Sequence, residues 1–216
     1  MRRKSTGPKE STNSFDVLND IDPEKLKLFA AVCMTWNYIE TVLDSCLGYA
    51  LKIDVEMFGE VSSRINGIDG KIALIKKALE VGRVDGSSAL SLRKTLNAVE
   101  VYKKYRDGVV HVRISSPLLD VADTIQKRGV TDEVLISNEA LEALYQRFSF
   151  LGNEMIQLFM LLHHCAMADI ATTEHRKRQD EERAQQSLAR LLSYQTQREA
   201  LPPFPKFPDD PPVLQG

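Results

Sequence analysis

A stripe of apolar residues over positions 141–165 constrains the fold more than any other feature of this sequence. Its members recur every three or four positions: Leu141, Leu144, Phe148, Leu151, Met155, Leu158, Leu162 and Cys165. An α-helix repeats every ~3.6 residues, so this spacing places all of them on one side of a helix. Ser137 or Asn138 is predicted to begin that helix. A long helix with one apolar side must bury that side against other elements, which predicts a helical core.

A second long helix is predicted near the start of the chain. Asp22 is a suitable N-cap, Pro23 fits the first helical position, and Glu24 suits the positive end of the helix dipole. The helix is expected to run to Lys52. Its apolar stripe contains Leu26, Phe29, Cys33, Trp36, Leu43, Leu47 and Leu51.

Two more helices are predicted between these. Asp69 is expected to cap the first, which ends at Gly82, and a Gly-Ser-Ser loop beginning at Gly86 leads into the second. Residues 54–68 are interpreted as a connection with one short turn, and residues 117–136 as a loop with a short strand-like run at 134–136. The apolar positions of the two helices are Ile72, Ile75 and Leu79, then Leu92, Leu96, Val99 and Tyr102.

These patterns predict an all-α protein, a bundle of four to five helices with an additional charged helix. A chain of 216 residues with 43% hydrophobic content can bury one sizeable core. The expected organisation is a flexible leader over 1–20, the bundle over 21–172, a charged helix over 173–200 and a proline-rich tail over 201–216.

Composition narrows the classes of function. A net charge of −2 argues against a surface that binds nucleic acid everywhere. The three cysteines are far apart, which argues against a disulfide scaffold or a zinc site, so free thiols and no metal or cofactor are expected. No apolar run has the form of a secretory signal or a membrane span, because the longest one, at 155–171, is interrupted by polar residues. The predicted location is cytoplasmic.

Glu40 interrupts the apolar stripe of the first helix. It lies four positions after Trp36 and three before Leu43. A buried carboxylate is costly unless it is paired or hydrogen-bonded. Two interpretations remain open: Glu40 pairs with a basic residue or lines a cleft, or the helix is rotated so that Glu40 lies at the exposed rim.

Arg106, Asp107 and His111 form the one arrangement that points to chemistry rather than packing. A guanidinium can hold a phosphate, and a histidine can move a proton near neutral pH. In an unbroken helix Arg106 and His111 would lie about 140° apart, while Asp107 and His111 would share a face. The length of arginine and a distortion at Gly108 could bring all three together. A strand over this segment is the open alternative, because Val110, Val112 and Ile114 alternate with polar residues.

Basic residues surround this motif. Lys103, Lys104 and Arg113 contribute to a count of six basic against two acidic residues between positions 93 and 113. Such a local excess of positive charge is a plausible footprint for the phosphates of RNA. Each lysine could equally belong to a solvated helix face.

The run Arg106-Asp107-Gly108-Val109-Val110-His111 resembles the Arg-x4-6-His signature of the HEPN superfamily, helical bundles of which many are metal-independent endoribonucleases. The run Trp36-Asn37-Tyr38-Ile39-Glu40 is similar to an aromatic and glutamate pattern in that family, and the predicted helix at 69–79 also fits. The resemblance covers roughly residues 22–170.

The resemblance implies a homodimer in which two motifs face each other across a cleft. It implies that His111 acts as general base or acid on an RNA 2′-hydroxyl, that Arg106 holds the scissile phosphate, and that Asp107 orients one of them. Glu40 would support this network. The expected products are a 2′,3′-cyclic phosphate and a 5′-hydroxyl.

Three functions are therefore weighed. The first is a metal-independent endoribonuclease, in the form of a toxin or defence effector restrained by an inhibitory or regulatory protein partner. The second is a non-catalytic HEPN-like dimeric module that binds nucleotide, RNA or a protein. The third is a helical adaptor that uses the charged helix and the proline-rich tail as its binding surface.

Overall fold

The computed structural model confirms that the protein is all-α. It describes residues 22–65, 67–81, 86–110, 112–113, 124–125 and 137–202. This part of the chain contains six helices: α1 (Pro23–Leu51), α2 (Val55–Arg64), α3 (Gly67–Glu80), α4 (Gly86–Val110), α5 (Asn138–Asp169) and α6 (Glu174–Glu199). The leader at 1–20 and the tail from 203 onward lie outside the described residues.

The starts of α1 and α5 are both confirmed, and each is fixed by a side chain that caps the helix. Asp22 Oδ1 accepts a hydrogen bond from the backbone N–H of Glu24, at 3.1 Å. The hydroxyl of Ser137 accepts one from the N–H of Ala140, at 3.2 Å. Each cap satisfies an N–H group that would otherwise lack an intrahelical partner.

The helices α1 and α5 run parallel to each other and form the centre of the bundle. Asn138 donates a hydrogen bond to Asp22 at their starts, and the Tyr49 hydroxyl lies 2.7 Å from His163 Nδ1 near their ends. Trp36 packs against Phe148 between these points, with ring centroids 5.0 Å apart, and both rings are buried. The predicted stripe of α5 is buried except at Cys165. The predicted stripe of α1 is only partly right, because its buried members are Trp36, Leu43 and Leu47 and its other four members are partly exposed.

The prediction for residues 54–68 is wrong, because these residues include the helix α2 (Val55–Arg64). The ring of Phe58 packs against the backbone of α1 at Gly48, where an added Cβ would lie 3.0 Å from the ring. A short helix that contains Gly59 has a weak sequence signal. Its formation depends on a contact with α1 that lies outside the local sequence.

Two predicted boundaries also differ. Asp69 lies in the first turn of α3 rather than at its N-cap, because α3 begins at Gly67. The predicted loop beginning at Gly86 belongs to the first turn of α4. Both errors fall at glycines, which helices tolerate near their ends more easily than in their middle.

The segment that carries the motif begins as a helix and is followed by a strand. The helix α4 continues to Val110, so Arg106 and Asp107 are helical. Two strands follow, β1 (Val112–Arg113) and β2 (Thr124–Ile125), which pair antiparallel. Both alternatives for this segment are thus partly right, with the helix ending before the strand begins. His111, between them, lies outside the described residues.

The charged helix α6 packs along α5 and also reaches α4. Ala184, Ser187, Leu191 and Gln195 form its buried side, at spacings of three or four residues. Its remaining positions are largely exposed and carry most of its charges. None of the helices in the described part of the chain is both long and apolar enough to cross a membrane.

Candidate functional site

Glu40 and Arg106 meet between α1 and α4. Glu40 Oε1 accepts a hydrogen bond of 2.5 Å from the indole Nε1 of Trp36 and lies 3.6 Å from Arg106 Nη2. The Glu40 side chain is 39% exposed. Both interpretations of Glu40 therefore apply: it pairs with a basic residue of the core, and it does so at the rim.

Arg106 lies between two carboxylates. Its Nη1 donates a hydrogen bond of 2.9 Å to Asp107 Oδ1, and its Nη2 faces Glu40. The Arg106 side chain is 28% exposed, so it is mostly enclosed by the bundle and still open to solvent. One guanidinium beside two carboxylates gives this cluster a formal charge of −1.

The thiol of Cys33 lies one turn before Trp36, close enough to Arg106 for the two to interact electrostatically. Burial raises the pKa of Cys33, and the positive charge of Arg106 opposes that rise. A thiol with a raised pKa is a weak nucleophile at neutral pH. All three cysteines are free thiols.

The predicted basic contacts do not share one environment. Lys103 Nζ lies 2.6 Å from Asp69 Oδ2 on α3, so its charge is already paired. Lys104 is exposed and makes no ion pair with the residues that the structure describes. Arg113 is a residue of the strand β1. The structure thus brings Glu40, Arg106 and Asp107 together and leaves Lys104 exposed on the surface of α4.

Two further lysines, on α3 and α4, are also paired with carboxylates. Lys76 on α3 bridges to Glu100 on α4, at 2.8 Å, and Lys94 on α4 bridges to Glu199 on α6, at 2.9 Å. The count of basic residues in the sequence therefore overstates the positive potential of this surface. Two of the acidic partners, Asp69 of α3 and Glu199 of α6, come from other helices, whereas Glu100 and Asp107 lie on α4 itself.

A second ionic site was missed in the sequence. Glu154 is fully buried on α5 and accepts hydrogen bonds from Arg198 Nε and, at 3.2 Å, from Arg198 Nη2. The hydroxyl of Thr95 donates to the same carboxylate, at 3.2 Å. A signal did exist, because Glu154 is the only charged residue between Arg147 and Asp169.

Gln195 extends this buried polar cluster. Its amide Nε2 donates to the carbonyl of Ser91, at 3.0 Å, and to the hydroxyl of Thr95, at 2.9 Å. Burial raises the pKa of the Glu154 carboxyl, and the Arg198 guanidinium opposes the rise. Residues from α4, α5 and α6 are thereby hydrogen-bonded to one another inside an otherwise apolar core, although the buried Oε1 of Gln195 accepts no hydrogen bond from the described residues.

A cavity of about 410 Å³ lies elsewhere in the bundle, where the ends of α1 and α5 approach the first half of α6. Its lining includes Tyr49, Cys165, Gln185 and Leu188 but neither Glu40 nor Arg106. Among the described residues, no group of three histidine, cysteine or carboxylate side chains is arranged to hold a metal ion.

The comparisons add no relatives to this picture. No family model matches the chain, and no significant similarity to a curated protein or to a solved structure is found. The likeness to the HEPN superfamily consequently rests on the residues at 36–40 and 106–111 and on the helix at 69–79.

Proposed function

We propose that the protein is a metal-independent endoribonuclease whose site is built on Arg106, Asp107 and His111 and completed by a second copy across a cleft. The observation that carries the proposal is the position of Arg106, which is held by Glu40 and Asp107 yet remains partly exposed. A guanidinium fixed in this way loses little conformational freedom when it binds a phosphate.

The proposed chemistry is an attack by the RNA 2′-hydroxyl on the adjacent phosphorus. His111 removes the proton from the 2′-oxygen or protonates the leaving 5′-oxygen, while Arg106 stabilises the charge that develops on the phosphate. Asp107 and Glu40 orient Arg106. The products are a 2′,3′-cyclic phosphate and a 5′-hydroxyl, and a protein partner that restrains the activity is part of the proposal.

A second candidate function is a non-catalytic dimeric module that binds RNA, nucleotide or a protein. The pairing of Lys103 with Asp69 and of Arg106 with two carboxylates favours the protein-binding form of this module, because these pairs reduce the charge available to a phosphate. Both candidates retain the same bundle and differ in whether Arg106 acts on RNA.

The test is cleavage of a mixed single-stranded RNA in the presence of EDTA. The wild type is compared with Arg106→Ala and His111→Ala, and the 2′,3′-cyclic phosphate ends of the products are detected. Arg176→Ala and His175→Ala are matched controls, since both residues are exposed on α6.

We expect the wild type and the two controls to cleave, and the two site variants to lose at least about a hundredfold in rate, as when a transition-state contact is removed. Cleavage that survives in Arg106→Ala would overturn the assignment. A folded wild-type dimer that binds RNA without cleaving it would instead support the binding module.

A further inference from the structure

An aromatic cluster connects the candidate site to the buried ionic site. It consists of Trp36 on α1, Tyr102 and Tyr105 on α4, and Phe148 on α5. The centroid of Phe148 lies 5.0 Å from that of Trp36 and 6.2 Å from that of Tyr102, and the Tyr102 and Tyr105 centroids are 6.3 Å apart. Rings at these distances are in direct contact.

Each end of the cluster carries an arginine and a carboxylate. At one end the indole of Trp36 donates to Glu40, which faces Arg106. At the other end the guanidinium carbon of Arg198 lies 5.9 Å from the centroid of the Tyr102 ring, while its nitrogens bind Glu154. Burial lowers the pKa of Arg198, but its interactions with Glu154 and with Tyr102 raise it more.

We infer that Arg198 is a positioning residue for the candidate site, and that α6 sets the geometry of Glu40 and Arg106 through Tyr102 and the aromatic cluster. The effect on cleavage rests on the proposed function, whereas the effect on geometry does not. The rings are closely packed, so a shift of Tyr102 must be transmitted to Phe148 and Trp36 rather than absorbed by empty space.

A positioning residue must itself be held in place, and Arg198 is held by its buried contacts. Glu154 and Arg198 are 0% and 9% exposed at their side chains, so water cannot replace either partner easily. Arg147 adds a second attachment nearby, because its guanidinium donates to the carbonyl of Pro202, just after α6. The end of α6 is therefore attached to α5 at two places.

Trp36 provides a direct measurement, because it is the only tryptophan in the chain. Its indole N–H gives one resonance in a ¹H–¹⁵N correlation spectrum, and the position of that resonance reports the hydrogen bond to Glu40. Glu40→Gln defines the spectrum of a disturbed site. Arg198→Met and Arg198→Lys test the inference, and Arg190→Met, at an exposed position of α6, is the matched control.

We expect Arg198→Met and Arg198→Lys to move the indole resonance, and Arg190→Met to leave it in place. If Arg198→Met does not fold, Arg198→Lys still decides, because it keeps a positive charge beside Glu154 and removes the guanidinium from the Tyr102 ring. An unchanged resonance in folded Arg198→Lys, together with an unchanged resonance in any folded Arg198→Met, overturns the inference.

The RNA assay separates this inference from the proposed function. In an active protein, Arg198→Met should lower kcat by roughly tenfold to a hundredfold through misplacement of Arg106. Arg198→Lys should restore it poorly, because lysine lacks the planar fork. A shifted resonance in a protein whose wild type never cleaves RNA would sink the ribonuclease proposal and leave the coupling established. Full cleavage by Arg198→Met would remove the positioning role.

Discussion

The indole of Trp36 and the carboxylate of Glu40 lie one turn apart on α1 and are joined by a hydrogen bond of 2.5 Å. Trp36 is buried, and its N–H is a donor that must find an acceptor within the protein. Glu40 supplies that acceptor and turns its charge toward Arg106. Glu40 thus has a structural role, as the acceptor for the Trp36 indole, as well as a proposed catalytic role.

Replacing Glu40 with alanine should lower the free energy of unfolding by about 1–2 kcal/mol, mostly through the indole N–H left without its acceptor. The ion pair with Arg106 adds little, because both side chains are partly exposed. Urea unfolding measures the change. Glu142→Ala, at an exposed position of α5, is the control, and an equal loss in both variants would contradict the role assigned to Glu40.

Replacing Arg198 with methionine should destabilise the protein by about 3–5 kcal/mol at neutral pH, because Glu154 would remain buried without its counter-charge. Burial raises the pKa of Glu154 above 4.5, and removal of Arg198 raises it further. A carboxyl whose pKa is higher in the folded state binds more protons when folded. The stability deficit should therefore shrink as pH falls through that folded pKa.

Urea unfolding of Arg198→Met at pH 8 and pH 5 tests this sign, with the wild type measured in parallel. The double variant Glu154→Leu/Arg198→Met removes the buried charge and should recover much of the lost stability with little pH dependence. A deficit in Arg198→Met that grows on acidification would show that Glu154 is not the group responsible.

Acid should weaken the junction between α5 and α6 through His164. Burial lowers the pKa of His164 below 6.5, as do the adjacent His163 and the positive charge of Arg183, while Asp180 opposes the shift. A histidine with a lowered pKa takes up its proton more readily in the unfolded chain. Stability is therefore expected to fall as pH drops from above 6.5 toward the folded pKa.

Substituting His164 with glutamine should flatten that pH dependence. His175→Gln serves as the control, since His175 is exposed on α6. Thermal unfolding between pH 7.5 and pH 5.5 provides the comparison. An unaltered slope in His164→Gln would assign the dependence to another group.

Lys104 and Lys103 should differ in their contribution to RNA binding. Lys104 is exposed, whereas Lys103 is held by Asp69. If RNA contacts this side of α4, Lys104→Ala should reduce the slope of log affinity against log salt by about 0.7, the value for one phosphate contact on a single strand. Lys103→Ala should change it less. Fluorescence anisotropy with a labelled single-stranded RNA measures both, and the opposite order would place the RNA nearer α3.

The features that the sequence predicted correctly have local causes. Asp22 with Pro23, and Ser137 ahead of its apolar stripe, each act within one helical turn. The stripes themselves are periodic over many turns, so the all-α core followed from them.

The features that it did not predict depend on contacts between distant residues. The helix α2 packs Phe58 on the backbone at Gly48. The partner of Lys103 comes from α3, and that of Glu154 lies 44 residues later in the chain. No local pattern could name these partners. The charge near Arg106 was overestimated for the same reason.

The order of synthesis has a consequence for Glu154. A ribosome makes α5 before α6, so this carboxylate emerges well ahead of the arginine that neutralises it in the folded protein. Until then a charged Glu154 opposes closure of the core around it, and the nascent bundle must keep that region hydrated or protonate the carboxylate. Completion of the fold is thereby tied to the arrival of Arg198.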